Sequence, residues 1–376
     1  MAISRRTLLQ RLGAGALSAA AAPRVAFADS AASGLARLPN GSIRLHRNES
    51  AHGPSPKALA AIRDAASQTA RYPEAATASL RRTIADVHGV PLERVVLGCG
   101  STEVLQMAIH EFAGRSKAIV TARPTFEIVA QLARRAGSRI VDVPLKKDYS
   151  HDLEAMRERV DARTGLIYLC NPHNPTGSLT RRQDIDAMLQ KLPPHVHVVV
   201  DEAYHDFVGE AADYRSLIDR TDHPSVIVTR SFSKIHGLAG LRIGYGIAAA
   251  PTAARLRAHA SSGDVNIVAA RAAEAAIADR EHVRERVNRI ADERQEFLNH
   301  ANARMLRSID SLANFVMLNT GRPSAQVVDH FAKHRVLVAG RIAGFDKYVR
   351  VSIGAPAEMQ EFWRVYDLMP GGHMHT

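Results

Sequence analysis

The sequence predicts an α/β fold with two parts: a large domain whose mostly parallel central sheet is flanked by helices, and a smaller α+β C-terminal domain. In the first two thirds of the chain, short apolar runs alternate with amphipathic helical segments, which is typical of a parallel sheet covered by helices on both faces. The pattern then changes to a long Ala/Arg/Glu-rich helical stretch, from about Val268 to Arg304, followed by further short apolar runs. This change predicts the second domain.

The predicted elements follow one another in a regular order. Ser55 precedes Pro56, and a serine cap followed by proline at the first helical position is typical of a helix start. Leu59, Ile62 and Ala66 then mark one face of this first helix. The predicted strands of the large domain are 95–97, 118–120, 139–143, 166–169, 196–200 and 226–228. The predicted strands of the small domain are 315–318, 336–338 and 349–353.

Length and composition indicate a folded protein with a large core. The chain has 376 residues, of which 46% are hydrophobic, and this excludes a disordered protein. Its formal net charge is +11, but four of the arginines lie in the first 28 residues, which contain no acid. No nucleic-acid-binding motif accompanies the charge, so a basic surface that attracts anionic substrates and an ordinary solvated surface remain the two interpretations.

The two cysteines, Cys99 and Cys170, fall in or beside predicted core strands. We therefore expect buried free thiols. A disulfide is the alternative, because an oxidising compartment would permit one.

The N-terminus has the features of an export signal. Arg5 and Arg6 precede an apolar run from Leu12 to Ala22, and Ala26-Phe27-Ala28 offers a small-residue cleavage site. This arrangement resembles a twin-arginine signal peptide, and an ordinary N-terminal helix is the alternative. The apolar run is shorter than the roughly 20 residues that a permanent membrane anchor needs. We therefore expect a periplasmic protein that the twin-arginine translocation machinery exports in folded form.

The predicted organisation is a signal peptide at 1–28, an N-terminal arm at 29–52, the large domain at 53–260, the small domain at 261–370 and a flexible tail at 371–376. The histidines of the tail could bind a metal ion, but a solvated chain end is the favoured interpretation. No metal site is predicted.

Lys234 is the residue that indicates the chemistry. It lies close in sequence to Ser231 and Ser233 on one side and to Arg242 on the other. A lysine amine forms a Schiff base with an aldehyde, while hydroxyls, backbone amides and a guanidinium can hold a phosphate on the same molecule. The phosphorylated aldehyde that fits this set of residues is pyridoxal 5'-phosphate (PLP).

Four sequence blocks extend this interpretation. They are Asn171-Pro172-His173-Asn174-Pro175-Thr176-Gly177, Asp201-Glu202-Ala203-Tyr204, the segment 231–242, and Leu337-Val338 leading to 348–354. In this order they resemble the class I/II aminotransferases, also called fold type I PLP-dependent transferases, over about residues 44–363. Within that family the chain looks most like the histidinol-phosphate aminotransferase branch. The resemblance implies that a Lys234 aldimine transfers an amino group between an amino acid and a 2-oxo acid by a ping-pong route.

The resemblance also implies roles for three residues around the cofactor ring. Asp201 would pair with the pyridine nitrogen and keep it protonated, which makes the ring an electron sink. Tyr204 and Asn174 would lie beside the phenolate oxygen. With Lys234, Asp201 and Tyr204 form the predicted catalytic set.

The predicted phosphate site begins at Gly100, Ser101 and Thr102, which follow a predicted strand and open a helix, so that their amides can meet an anion. The resemblance adds to this site Ser231, Ser233 and Arg242. Phe126 stands where the family stacks an aromatic ring on the cofactor, and a core residue is the alternative interpretation.

On the substrate side, the resemblance assigns Arg350 to the substrate carboxylate, because a planar guanidinium can grip a carboxylate through two parallel hydrogen bonds. Asn48 lies in a loop expected to form a pocket wall and is assigned to substrate binding. Tyr72 is assigned to cofactor binding, because it matches a tyrosine that family members lend to the site of the neighbouring subunit, which implies a homodimer. A surface tyrosine before a proline is the alternative.

Two departures from the histidinol-phosphate branch bear on the substrate. Nothing like its N-terminal Pro-Tyr segment lies between Ala28 and Leu45, and 357–361 lacks a second arginine, with Arg364 beyond. Recognition of a substrate phosphate is therefore not predicted. A decarboxylase, β-lyase or racemase on the same fold is the alternative function, and a non-catalytic binding protein is a third hypothesis.

Overall fold

The computed structural model describes residues 41–209, 213–261 and 265–370. The predicted signal peptide, most of the predicted N-terminal arm and the predicted tail lie outside these residues. Among the described residues, those from Ile43 to Pro370 belong to one compact unit, and the domain boundary expected near residue 260 stays a prediction.

The described residues form the following strands and helices. The strands are β1 (Ile43–Leu45), β2 (Val95–Gly98), β3 (Ala118–Arg123), β4 (Arg139–Pro144), β5 (Thr164–Cys170), β6 (His197–Asp201), β7 (Val226–Ser231), β8 (Gly244–Ala248), β9 (Arg307–Ile309), β10 (Phe315–Asn319), β11 (Val336–Val338) and β12 (Tyr348–Ser352). The helices are α1 (Pro56–Ala66), α2 (Glu74–His88), α3 (Ser101–Phe112), α4 (Glu127–Ala136), α5 (Leu153–Glu158), α6 (Arg182–Leu189), α7 (Ala250–Arg257), α8 (Ile267–Ala278), α9 (Arg280–Ala303), α10 (Ser324–Lys333) and α11 (Pro356–Asp367).

The large sheet has the strand order β2-β8-β7-β6-β5-β3-β4. Strands β3 to β7 pair in parallel, and β8 is antiparallel to both of its neighbours. Consecutive residues face opposite sides: Val198 and Val200 join one apolar cluster with residues of α1, α2 and α8, while Val199 joins another with residues of α3, α4 and α7. The predicted mostly parallel sheet with helices on both faces is therefore confirmed.

All predicted strands form, but the short strands β1 and β9 and the sheet strand β8 were not predicted. Strand β8 shows one reason. Gly244 and Gly246 lie within it, and glycine weakens the strand signal of a sequence. A Cβ at Gly244 would collide with the Ser101 amide, and one at Gly246 would crowd Val104. The glycines therefore let α3 pack closely against the sheet.

The predicted start of α1 is confirmed, but of the three residues predicted to mark one face only Ile62 packs against the core, while Leu59 and Ala66 are exposed. The Ser55 side chain caps the helix by accepting a hydrogen bond from the Ala58 amide at 3.1 Å. Ala58, Ile62 and Ala65 face the core, whereas Leu59 remains 40% exposed. The small alanines allow a close approach to the alanine-rich α8, so size and not hydrophobicity alone selects the packed face.

The helical stretch predicted from 268 to 304 is broken into α8 and α9 at Asp279, which has non-helical backbone angles (φ −86°, ψ 63°). The Asp279 carboxylate accepts a hydrogen bond from Lys57 Nζ at 2.7 Å. This contact joins the break to α1.

Strand β1 determines where the loop after it lies. It pairs in parallel with β11, and β9, β10 and β12 form an antiparallel sheet beside them in the order β12-β10-β9. An isolated bridge from Ala339 to Arg350 connects the β11 end to β12. Residues 46–49 are thereby brought next to both Arg350 and Lys234.

Both cysteines are free, as predicted, but only Cys170 is buried. Cys99 is exposed, because it lies in the turn between β2 and α3 and not inside the strand. In the part of the chain that the structure describes, no helix is long and apolar enough to cross a membrane, and no group of three His, Cys, Asp or Glu side chains is placed to hold a metal ion.

Candidate active site

Lys234 lies in the turn after β7, beyond the carboxyl end of the strand, where open parallel sheets place ligands. Its Nζ donates hydrogen bonds to the carbonyl oxygens of Asn48 at 3.0 Å and Arg47 at 3.2 Å. Burial, and then the charge of Arg350, lower the pKa of Lys234 from 10.5 to about 8. A substantial fraction of the amine is therefore uncharged, and nucleophilic, at mildly alkaline pH.

Asp201 ends the adjacent strand β6 and is 2% exposed. Its Oδ2 accepts a hydrogen bond from the Tyr168 hydroxyl at 3.0 Å, and its Oδ1 accepts one from the Ala203 amide at 3.2 Å. Burial raises the pKa of Asp201 from 3.8 to about 6. Since burial destabilises the ionised carboxylate, a cationic partner such as a pyridinium N–H would be bound favourably there.

Tyr204 connects the residues around Lys234. Its hydroxyl accepts hydrogen bonds from Nδ2 of Asn48 at 3.0 Å and Nδ2 of Asn174 at 3.4 Å. The Lys234 amine lies 5.6 Å from the centre of the Tyr204 ring. Asn174 also accepts a hydrogen bond from Nη1 of Arg350 at 2.5 Å. The predicted ring-side residues and the predicted substrate arginine thus share one polar network.

The predicted phosphate residues also converge. Helix α3 starts at Ser101, and Arg242 Nη1 donates to Ser233 Oγ at 3.3 Å, while the Ser233 amide donates to Ser231 Oγ at 3.1 Å. Gly100 has φ +78°, and a Cβ there would collide with the Arg242 guanidinium. A helix N-terminus, two hydroxyls and a guanidinium therefore surround one space suited to a phosphate.

Two predicted residues are not joined to this network. The Tyr72 side chain is 87% exposed in the protomer, so a role in a neighbouring subunit stays a prediction. Phe126 precedes α4 and is half-buried. This intermediate exposure suits a ring that lines a site, and its stacking on the cofactor stays a prediction.

Asn48 was assigned to substrate binding, but its polar groups already have protein partners. Its backbone, at φ +53°, places the amide N 2.8 Å from Ser352 Oγ, and its carbonyl oxygen accepts from Lys234 and from Asn314 Nδ2. Its side-chain oxygen accepts from Ser352 Oγ at 3.3 Å. Asn48 thus supports Tyr204 and Lys234 directly, while direct contact with substrate stays a prediction.

Sequence reasoning missed Tyr168 and His46. Strands β5 and β6 pair in parallel with Cys170 opposite Asp201. Tyr168 lies two positions before Cys170 in the same strand, and its hydroxyl within this apolar run was the available sequence signal. The His46 carbonyl accepts from Nη2 of Arg350 at 3.0 Å, and burial, followed by the charge of Arg47, lowers the pKa of His46 to about 4. No sequence signal marked His46.

These residues fit PLP at each of its functional groups. The amine of Lys234 suits its aldehyde, the buried carboxyl of Asp201 its ring nitrogen, and the glycine-lined α3 terminus with Arg242 its phosphate. The cradle at Gly100 is the most specific of these features, because any larger residue there would meet Arg242.

Comparison with known proteins agrees with this geometry. Residues 41–365 match the profile of the family "Aminotransferase class I and II". A histidinol-phosphate aminotransferase of Akkermansia muciniphila is 36% identical over 321 residues, covering 85% of this chain and 88% of the relative. An aromatic amino acid aminotransferase of Cutibacterium acnes is 35% identical over 317 residues, covering 84% of this chain and 89% of the relative.

A solved structure has the same fold. The histidinol-phosphate aminotransferase of Sinorhizobium meliloti, in complex with pyridoxal-5'-phosphate, superposes with a TM-score of 0.81 at 30% identity, covering 86% of this chain and 89% of that chain. The sequence match, the shared fold and the lysine-centred site lead to one conclusion: this chain belongs to the class I and II aminotransferases and is a PLP-dependent aminotransferase.

Proposed function

We propose that this enzyme transfers the amino group of an α-amino acid to a 2-oxo acid, and that Arg350 binds the carboxylate of both. The observation that carries the proposal is the set of hydrogen bonds that the Arg350 side chain makes. This side chain donates to Asn174 and to the His46 carbonyl, while its Nε is buried and has no hydrogen-bond partner among the described residues. A guanidinium has five N–H donors, so Arg350 can still donate hydrogen bonds to a carboxylate.

The other site residues have complementary roles in this proposal. PLP, when bound, withdraws electrons from the α-carbon of the substrate. Asp201 keeps the ring nitrogen protonated, and the Gly100–Thr102 amides with Arg242 hold the phosphate. In this proposal Lys234 Nζ takes the α-proton and returns it, and the lowering of its pKa to about 8 favours the uncharged, basic amine at mildly alkaline pH.

We further propose that the natural substrate carries a carboxylate rather than a phosphate ester. Histidinol phosphate has no carboxylate. Nothing like the Pro-Tyr segment expected for that substrate lies between Ala28 and Leu45, and 357–361 contains no second arginine, although Arg364 follows. The relatives include an aromatic amino acid aminotransferase as well as histidinol-phosphate aminotransferases.

The enzyme is also proposed to be a homodimer that is exported through the twin-arginine route. Export is supported by Arg5-Arg6 and the apolar run that follows them. Replacing both arginines by lysine should leave the protein in the cytoplasm. Cell fractionation would measure this, and unchanged periplasmic recovery would contradict the proposed route.

The substrate proposal is tested with purified, cofactor-loaded protein, to which single amino acids or histidinol phosphate are added without a 2-oxo acid. We expect the cofactor absorbance to change with an amino acid and one 2-oxo acid to be released per active site, measured by mass spectrometry. Carbon dioxide release, or racemised substrate without 2-oxo acid, would instead support the decarboxylase or racemase alternative.

Arg350→Gln provides the matched variant. We expect its KM for the amino acid to rise on the order of 100-fold, because two charge-assisted hydrogen bonds are lost. Its KM for an amine that lacks the carboxylate should change little. Equal losses for both substrates would show that Arg350 does not recognise the carboxylate.

A further inference from the structure

A buried ion pair lies directly behind the cofactor residues. Glu202 follows Asp201 at the end of β6, and Arg230 precedes Ser231 in β7. The Glu202 carboxylate accepts hydrogen bonds from Nη2 of Arg230 at 2.9 Å and from its Nε at 3.2 Å. The side chains are 0% and 10% exposed, respectively.

Both carboxylate oxygens of Glu202 accept hydrogen bonds from the protein. In addition to Arg230, its Oε2 accepts from Ser216 Oγ at 2.7 Å, and its Oε1 accepts from the Leu217 amide at 2.7 Å. The Glu202 amide also donates to the Thr229 carbonyl of β7 at 2.9 Å. Glu202 therefore ties the end of β6 both to β7 and to the turn that starts at Leu217.

A cavity of about 160 Å³ adjoins the pair and is lined by Glu202 and Arg230, by Ser231 of the phosphate site, and by His236, two residues after Lys234. Side chains that border a cavity lose packing contacts on that side. The polar contacts of Glu202 therefore add to the backbone pairing of β6 with β7 in holding the two strand ends.

The geometry points to Glu202 and Arg230 as positioning residues for the cofactor, an inference that rests on the PLP site proposed above. In that site Asp201 would contact the ring nitrogen of PLP and Ser231 its phosphate, which lie at opposite ends of one rigid ligand. Each lies next in sequence to one member of the ion pair. We propose that the pair, in addition to the backbone pairing of β6 with β7, holds the Asp201 and Ser231 side chains at the separation that lets both bind the same PLP molecule.

The test compares PLP affinity in apoenzyme variants, measured by titrating the cofactor absorbance. Glu202→Gln removes the charge, and Glu202→Asp keeps the charge but shortens its reach. We expect the PLP dissociation constant to rise at least tenfold in the first variant and severalfold in the second. Glu111→Gln is the control, because Glu111 also forms an ion pair with an arginine, Arg255, but at the far end of α3.

A double variant separates positioning from general destabilisation. If Glu202 acts through Asp201, Glu202→Gln should weaken PLP binding much less in an Asp201→Asn background than in the wild type. Additive losses, or unchanged affinity in a folded variant, would overturn the proposal. If Glu202→Gln does not fold, Glu202→Asp decides between the outcomes. Absence of PLP binding in the wild type would instead refute the underlying cofactor site.

Discussion

Lys234 shows how one residue acquires its reactivity from its surroundings. Its amine has two carbonyl acceptors, from Arg47 and Asn48, yet burial and Arg350 still disfavour the charged form. The folded apoenzyme therefore binds the lysine proton less tightly than the unfolded chain does. This difference makes stability depend on pH.

We predict that Lys234→Met stabilises the apoenzyme at neutral pH. The folded pKa of about 8 lies below the unfolded value of 10.5, so the charged lysine destabilises the wild type below pH 8. That cost falls as pH rises from 8 to 10.5, where the unfolded chain binds more protons than the folded one. Urea unfolding across this range should show a variant advantage that shrinks with increasing pH. A constant difference would indicate that the lysine environment does not shift its pKa.

Sequence reasoning at this scale identified residue types but not all of their contacts. Five residues that the motifs implied do lie together. They are Lys234, Asp201, Tyr204, Asn174 and Arg350. The engagement of the Asn48 amide with Tyr204 and Ser352 could not be predicted, because it depends on a left-handed backbone and on partners about 150 and 300 residues away. Long-range polar partners leave no local pattern in a sequence.

At the scale of elements, the phosphate site depends on how closely α3 approaches Arg242. The approach requires glycine at position 100, for its positive φ and for its missing Cβ. The sequence predicted the helix start and the phosphate residues, since a polar turn between a strand and a helix is a local signal. It did not predict β8, whose glycines serve this same packing.

We predict that Gly100→Ala weakens PLP binding at least tenfold, because the new methyl group displaces Arg242. Gly89→Ala is the control: Gly89 also has a positive φ, +62°, but nothing lies within 4 Å of a Cβ there. That variant should lose about 1 kcal/mol of stability through backbone strain and keep its PLP affinity. Cofactor titration and urea unfolding of both variants provide the measurement. Equal PLP affinities would contradict the proposed role of Gly100.

At the scale of the whole molecule, large apolar side chains remain uncovered in the protomer. Tyr72 is 87% exposed and Leu59, on the nearby helix α1, is 40% exposed. The proposed homodimer would give both residues a partner surface. A dimer interface would also explain why the apolar residue Leu59 does not face the core of its own protomer. A hydrophobic pattern in a sequence does not distinguish a face buried in the core from a face buried in an interface.

The dimer is tested by mixing two inactive variants, Tyr72→Ala and Lys234→Ala, under conditions in which subunits exchange. If Tyr72 serves the neighbouring site, each mixed dimer has one intact site, and random exchange of equal amounts restores about a quarter of wild-type activity. Each variant alone should remain inactive or weak. No recovery in verified mixed dimers would place Tyr72 in the site of its own subunit, or outside any site.

The insertion of β8 between β2 and β7 also has a consequence for synthesis on the ribosome. Strand β2 pairs with β8, about 150 residues further along the chain. At 5–20 residues per second, a nascent chain carries an unpaired β2 for roughly 8 to 30 seconds. During that interval the α3 terminus lacks the strand and the arginine that complete the phosphate site. The nascent enzyme therefore becomes competent to capture its cofactor only late in translation, after the residues that follow Lys234 have emerged.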